Sequence, residues 1–270
     1  MTALLDIAGI PRSVYYYYLK RAKKEDKYKD IKAEIEAIYH ENRGRYGYRR
    51  ITMELHNRGY IINHKTVQRL MKTLNLKSKV RIKKYRSYKG EVGKIAPNII
   101  NRDFYAEKPN QKWTTDITEF HLFDRKMYLS PILDMFNGEI ISYSISERPV
   151  MTQVYDMLDK AFEKHPCLSG LILHSDQGWQ YQQKKYQKKL QDMGIKQSMS
   201  RKGNCLDNSV MENFFGLLKS ELFYLEKFAS YEEFKIELEK YIDYYNNKRI
   251  KSKLKGLSPV QYRIQSLLAS

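Results

Sequence analysis

The chain has 270 residues, 42% of them hydrophobic, and carries 49 Lys and Arg against 31 Asp and Glu, a net charge of +18. That length suits one large or two modest domains, and a basic excess spread along a folded composition points to nucleic acid as partner. No run of about 18 apolar residues offers a transmembrane helix, the N-terminus lacks the basic start of a signal peptide, and Cys167 and Cys205, without a CxxC pair, exclude a zinc ribbon and a disulfide framework and fit a reducing cytoplasm.

Residues 1–25 contain "DIAGIPRSVYYYYLK", a short helical segment with no assigned job. Residues 26–85 are charged and helical in pattern, and "RYGYRRITMELHNRGYIINHKTVQRLMKTLNL" has the shape of a helix-turn-helix. Its first helix runs from about Tyr48 to Asn57 with Ile51 and Leu55 inward, and Gly59 breaks it. Asn63 is the expected N-cap of a second helix that buries Val67, Leu70, Met71 and Leu74. Lys65, Thr66, Gln68, Arg69 and Lys72 then point outward, a residue mix for phosphate contact and base-edge reading. Residues 86–105 read as a basic linker.

From residue 106 to 230 the texture changes. The runs "KWTTDITEF", "KMYLSPILDMF", "GEIISYSIS" and "LILHSD" are strand-like, and Thr152–Lys164 is an amphipathic helix. Strands followed by strand–helix alternation predict a mixed α/β domain. Further on, Met211, Phe214, Phe215, Leu218 and Leu222 form one apolar stripe at helical period. The last segment, 231–270, reads as a helix ending near Asn247, then a basic tail with a Ser-Pro stop.

In so basic a chain the carboxylates at strand ends stand out. Asp116 falls within a strand, with Trp113, Thr115 and Ile117 on one face and Thr114, Asp116 and Thr118 on the other; an Asp there is disfavoured and needs a partner. Asp176 directly follows an apolar strand, at the carboxyl end where α/β sheets bind ligands, although Asp-Gln-Gly also suits a turn. Glu212 opens the apolar helix, and Ser209-Val-Met-Glu212 also matches a capping box. On that helix Asn208, Glu212, Gly216 and Lys219 share a stripe beside the apolar face. Two Asp and one Glu together can hold two Mg²⁺ or Mn²⁺ ions, which clamp the attacking and leaving oxygens of a phosphodiester.

From Asp116 to Asp176 there are 59 intervening residues, and from Asp176 to Glu212 there are 35. With the words "WTTDIT", "LILHSDQGWQY", "SMSRKGNCLDNSVMENFFGLLKSEL" and "YNNKRIKSKLKGLSPVQY", the chain resembles the IS3-family insertion-sequence transposases, in particular the OrfB product, over nearly its whole length. The resemblance implies an RNase H-like catalytic domain with a five-stranded mixed sheet flanked by helices. Asp116 would lie on the first strand, Asp176 past the fourth, and Glu212 on the helix after the fifth. It implies Asp116, Asp176 and Glu212 as catalytic metal ligands, two Mg²⁺ or Mn²⁺ ions as cofactors, and Lys219, with Lys202, as DNA contacts. His174, Ser175, Gln177, Gly178, Asn204, Asp207 and Asn208 belong to the same words and are expected to support the site or shape its loops. Asp134, in "PILDMFNG", is a rival acid that the spacing does not select. Lys251 stands where the resemblance predicts a histidine.

The implied activity is cutting and joining of DNA at insertion-sequence ends. The implied partners are terminal inverted repeats, target DNA, further copies of the chain and an upstream-frame OrfA product, all in the bacterial cytoplasm at the nucleoid and away from membranes. Two other classes remain open at this stage: a non-catalytic DNA-binding protein or domesticated remnant, and an RNase H-like nuclease that cuts without joining.

Overall fold

In the computed structural model, which describes residues 2–22, 26–79, 96–201 and 205–268, the chain forms two compact units, Met1–Ser78 and Lys79–Ser270. The first unit is helical: α1 (Thr2–Ile7), α2 (Arg12–Ala22), α3 (Lys29–Glu41), α4 (Tyr48–Asn57) and α5 (His64–Thr73). Gly59 ends α4 at φ +86, where a residue with a Cβ would be strained. The Tyr60 N–H reaches Leu55 O at 2.9 Å and the Gly59 N–H reaches His56 O at 2.9 Å, the paired bonds of a Schellman ending. Asn63 caps α5 by accepting the Lys65 N–H at 2.8 Å. Ile35, Ile38, Ile51, Leu55, Val67, Leu70 and Met71 are buried together as the core. Lys65, Gln68, Arg69 and Lys72 are exposed on α5, while Thr66 is half-buried.

The second unit is built on one mixed sheet of β1 (Lys112–Thr115), β2 (Thr118–Leu122), β3 (Arg125–Asp134), β4 (Ile140–Ser146), β5 (Ile172–Ser175) and β6 (Lys196–Met199). Both β1 and β2 pair antiparallel with β3, through Thr115↔Ile132 and Thr118↔Leu129. The residue numbers of each pair sum to 247, so the two strands are collinear on one edge of β3. Six strands therefore make five rows, in the order β4, β3, β1 with β2, β5, β6, and β1–β5 and β5–β6 are parallel. This is the mixed sheet that the resemblance implies, with one difference. Asp116 does not lie in an unbroken strand: Asp116 and Ile117 interrupt the row opposite Pro131 and Ser130. Pro131 has no N–H to give a ladder, which accounts for a break at that point.

Helices cover both faces of the sheet. On one, α8 (Ser209–Leu218) and α9 (Tyr231–Asn247) bury Met211, Phe214, Leu218, Phe234 and Leu238 against Phe120, Met127 and Leu129. On the other, α6 (Met151–Lys164) and α7 (Lys184–Asp192) bury Val154, Met157, Leu158 and Leu190 against Trp113, Ile132 and Leu173. The expected Ser-Pro stop is instead a start. Ser258 and Pro259 open α10 (Pro259–Leu268), with proline at the first helical position where its missing N–H costs nothing. Ser258 N–H donates to Gln261 Oε1 at 2.9 Å and Gln261 N–H donates to Ser258 Oγ at 3.3 Å, a reciprocal cap. Arg263 on α10 then pairs with Asp134 at 2.5 Å and Glu139 at 2.7 Å. The end of the segment read as a basic tail is thus a helix joined to the core. Part of the expected linker is bound there too, since Met199 N–H reaches Pro97 O at 3.2 Å.

After α8 the chain makes a π-helical turn, Lys219–Phe223, which Glu221 joins to the end of α9. Its carboxylate accepts Arg249 Nη2 at 2.6 Å, Arg249 Nε at 2.8 Å and the Tyr241 hydroxyl at 3.0 Å, with both charged side chains 2% exposed. Replacing one partner leaves a buried charge uncompensated. Glu221→Gln is expected to lower unfolding free energy by about 3–5 kcal/mol in chemical denaturation, whereas pairing Glu221→Met with Arg249→Met recovers most of the loss.

Candidate active site

Side-chain alternation runs through the break in the central row. Thr115 Oγ1 contacts Met157 Sδ on α6 at 3.6 Å, and Ile117 packs with the same cluster. Asp116 therefore faces α8, as Thr114 does. Its carboxylate is held by two donors: Oδ1 accepts the Ile117 N–H at 2.7 Å and Oδ2 accepts the Asn208 amide at 3.3 Å. Asn208 in turn accepts the Thr114 hydroxyl at 2.7 Å, a buried bond between β1 and the start of α8. Asn208 thus ties the Asp116 carboxylate to the helix that carries Glu212.

Asp176 directly follows β5, and its Oδ1 accepts the Gly178 N–H at 2.9 Å. A Cβ at Gly178 would come within 2.9 Å of that oxygen and 2.6 Å of Gln180 Oε1, so a larger residue there would have to displace those two side chains. Gln177 Nε2 donates to Ser200 O at 3.0 Å, and Ser175 O accepts the Ser200 N–H at 2.9 Å. Behind them, His174 is buried between Ser198 Oγ at 2.9 Å and Ser200 Oγ at 3.1 Å. Burial pushes its imidazole down to about 4, so the ring is neutral at pH 7 and joins β5 to the end of β6 by hydrogen bonds.

Glu212 lies on the first turn of α8 and is half-buried. The capping box needs Ser209 as N-cap, but Ser209 is already helical, Asn208 is the N-cap, and a 3₁₀ turn, Cys205–Asn208, precedes it. Gly216 is exposed, and a Cβ there would meet nothing within 4 Å. Lys219 Nζ lies 5.4 Å from the Phe120 ring centre. Burial raises the Asp116 carboxyl well above its ordinary value, the Asp176 charge raises it further, and Glu212 adds to this while the Ile117 N–H and Lys219 oppose it. Asp176 is raised chiefly by burial, against the Gly178 N–H. The three acids thus share one electrostatic neighbourhood. Among the described residues, no three His, Cys, Asp or Glu side chains form a ready-made metal cluster.

Of the other expected residues, Lys202 and Asn204 lie outside the described residues. Asp134 belongs to a different network: besides Arg263 it accepts the Asn110 N–H at 2.9 Å and the Phe136 N–H at 3.0 Å. Lys251 reaches the Tyr245 hydroxyl at 2.7 Å and Gly138 O at 3.3 Å. Sequence reasoning missed Thr114 as an anchor, although it lies two residues before Asp116 on the same face. In the N-terminal unit, Arg69 packs over the Tyr28 ring at 5.5 Å, beside the exposed Lys65 and Gln68.

Comparison with known proteins agrees with this architecture. An integrase core domain model matches residues 106–205, a second integrase core model matches 212–267, and an HTH-like domain model matches 25–84. The putative transposase InsK for insertion sequence element IS150 of Escherichia coli (strain K12) is 60% identical over 265 residues, 98% of this chain and 94% of that protein. The chain belongs to the IS3 family of insertion-sequence transposases. An uncharacterized transposase-like protein of Haemophilus influenzae is 56% identical over 76% of this transposase and 95% of that protein. Transposase InsF for insertion sequence IS3A of Escherichia coli (strain K12) is 31% identical over 98% of this chain and 94% of that one. The transposase is accordingly a DNA strand-transferring enzyme of OrfB type.

The Asn208 bridge is the local feature most open to test. Asn208→Ala removes the partner of the buried Thr114 hydroxyl and one donor to Asp116. It is expected to cost about 1–3 kcal/mol in denaturant unfolding, and adding Thr114→Val should recover part of that cost.

Proposed function

We propose that Asp116, Asp176 and Glu212 are the catalytic carboxylates of this transposase, and that the observation carrying the reading is the Asp116 carboxylate. It is half-buried at a break in the central row, held by two donors, and lies in the field of both other acids. A divalent cation fits this donor set. All three donors are carboxylates, which suit a hard ion. Burial and mutual repulsion drive Asp116 toward protonation, a penalty that a bound cation removes. Asp116, Asp176 and Glu212 would hold the ions, two Mg²⁺ or Mn²⁺. When bound, these supply Lewis acidity at the attacking and leaving oxygens of a phosphodiester.

The chain's own residues do the rest. The Ile117 N–H and the Asn208 amide orient Asp116, and the Gly178 N–H orients Asp176. Glu212, with three rotatable bonds, is the adjustable member. Lys219 offers a positive charge beside the acids, and Gly216 leaves room for a DNA backbone next to α8. In the cutting reaction a water oxygen attacks phosphorus at the element end and a 3′ oxygen leaves. In the joining reaction that 3′-OH attacks a target phosphodiester and displaces the target strand's own 3′ oxygen, with no covalent protein–DNA intermediate. His174, Ser175 and Gln177 hold the ends of β5 and β6 together beneath these groups.

The same reading gives Lys65, Gln68 and Arg69 on α5 the phosphate and base contacts to the terminal inverted repeat, with Thr66 partly shielded and Lys219 near the reacting strand; the expected Lys202 contact falls outside the described residues. Two element ends must be cut and joined to one target, so it includes a homo-oligomer assembled on DNA, and it keeps the upstream-frame product as a second partner. Among the described residues no helix is long and apolar enough to cross a membrane. The site of action in this reading is the bacterial cytoplasm, at the nucleoid.

Strand cleavage and joining of a labelled terminal repeat in Mg²⁺ tests the proposal. Asp116→Asn and Glu212→Gln are each expected to lower both rates by on the order of 10³-fold or more while leaving duplex binding in place. Chelation of divalent ions should do the same, and joining that survives in either variant would overturn the assignment.

A further inference from the structure

The Asp207 carboxylate is 0% exposed yet lies one residue before Asn208, the N-cap of the helix that carries Glu212. Its Oδ1 accepts Arg102 Nε at 2.9 Å and Arg201 Nη2 at 3.0 Å. Its Oδ2 accepts Asn98 Nδ2, the Arg201 N–H and Arg201 Nε, each at 2.9 Å. Five donors thus converge on a group with about four lone-pair directions. Arg102 and Arg201 are nonetheless half on the surface, with side chains 45% and 49% exposed. Their location is set by the sheet. The Ser200 N–H reaches Ser175 O, so Arg201 leaves β6 beside Asp176. The Ile99 N–H reaches Ser198 Oγ at 3.0 Å, which lays the segment of Arg102 along the outer edge of β6.

We propose that Arg102 and Arg201, presented by the buried Asp207, form a binding site for a backbone phosphodiester of DNA at the edge of the active site. This deepens the reading of the acidic site and rests on it. Two guanidiniums meet one carboxylate here, a cationic pairing that suits an anion such as a phosphodiester. Pinning the loop end would need only the Arg201 N–H and one guanidinium; a second arginine adds like-charge repulsion that an anion relieves. A guanidinium already fixed by a buried carboxylate has lost its rotamer freedom before DNA arrives, so little further entropy is lost on binding. The planar fork also matches phosphate oxygens, which a lysine at either position does not.

The test is the salt dependence of duplex binding, measured without divalent ions so that no strand is cut. Wild type, Arg102→Gln, Arg201→Gln and Arg201→Lys are compared on two labelled duplexes of equal length. One carries the inverted repeat flanking this reading frame and the other an unrelated sequence. Each lost phosphate contact lowers the slope of log K against log salt by about 0.9. Both Gln variants are expected to show that loss, and Arg201→Lys to regain most of the slope because it keeps the charge. Loss on the repeat duplex alone assigns the site to the element end, and loss on both assigns it to any bound duplex. Unchanged slopes in both Gln variants, with a lowered melting temperature, overturn the site and leave Asp207 as a loop pin. Absence of salt-dependent binding by wild type overturns the DNA reading itself, which separates the two failures.

Discussion

The arrangement of the candidate active site depends on one amide. Asn208 accepts the Thr114 hydroxyl and donates to Asp116, so a side chain on the helix side fixes the distance between the central row of the sheet and α8. The constraint comes from burial. A hydroxyl and a carboxylate placed beside each other between a sheet and a helix must both find partners, and an amide supplies one acceptor and one donor. Asn208 meets both needs at once. With the helix start held there, Glu212 follows one turn later on the same stripe, and the adjacent apolar stripe of α8 packs on Phe120 and Leu129.

Breaking the central row next to Pro131 is the second requirement. An aspartate within an unbroken ladder would give its backbone to neighbouring strands and leave its carboxylate without donors. In the interruption, the Ile117 N–H turns to the carboxylate instead of to a strand. A residue type unfavourable in a strand becomes tolerable because the ladder is already open at that point. Parallel pairing of β1 with β5 then brings Asp116 and Asp176 to the same end of the sheet. These acids stand out in a chain whose net charge is +18. A chain so basic draws in a polyanion.

Local signals carried much of this. The bounds Tyr48–Asn57 for α4, the Asn63 cap and the end of α9 at Asn247 follow from caps, glycine breaks and hydrophobic period, all properties of neighbouring residues. Where local signals pointed two ways, the outcome turned on context. Ser-Pro reads equally as a stop or as an N-cap with proline at the first helical position; Gln261 and Arg263, whose partners lie far away or across the cap, decide for a helix. Ser209 and Glu212 have capping-box spacing, but the 3₁₀ turn before them moves the helix start and removes that role.

By itself the sequence determined the class of most elements, the basic character of the chain, the three candidate acids and the family, because periodicity, composition and motif words are local or additive. Only the tertiary structure decided how the acids are held. The Thr114–Asn208 bond spans 94 residues, Arg102–Asp207 spans 105 and Arg263–Asp134 spans 129. Such pairings depend on which strands become neighbours and on which face each residue falls, and no short window of sequence contains both partners. For that reason Asp134 and Asp116, each an aspartate at a strand end, separate completely: one is neutralised by an arginine from the last helix, and the other is left facing two more acids.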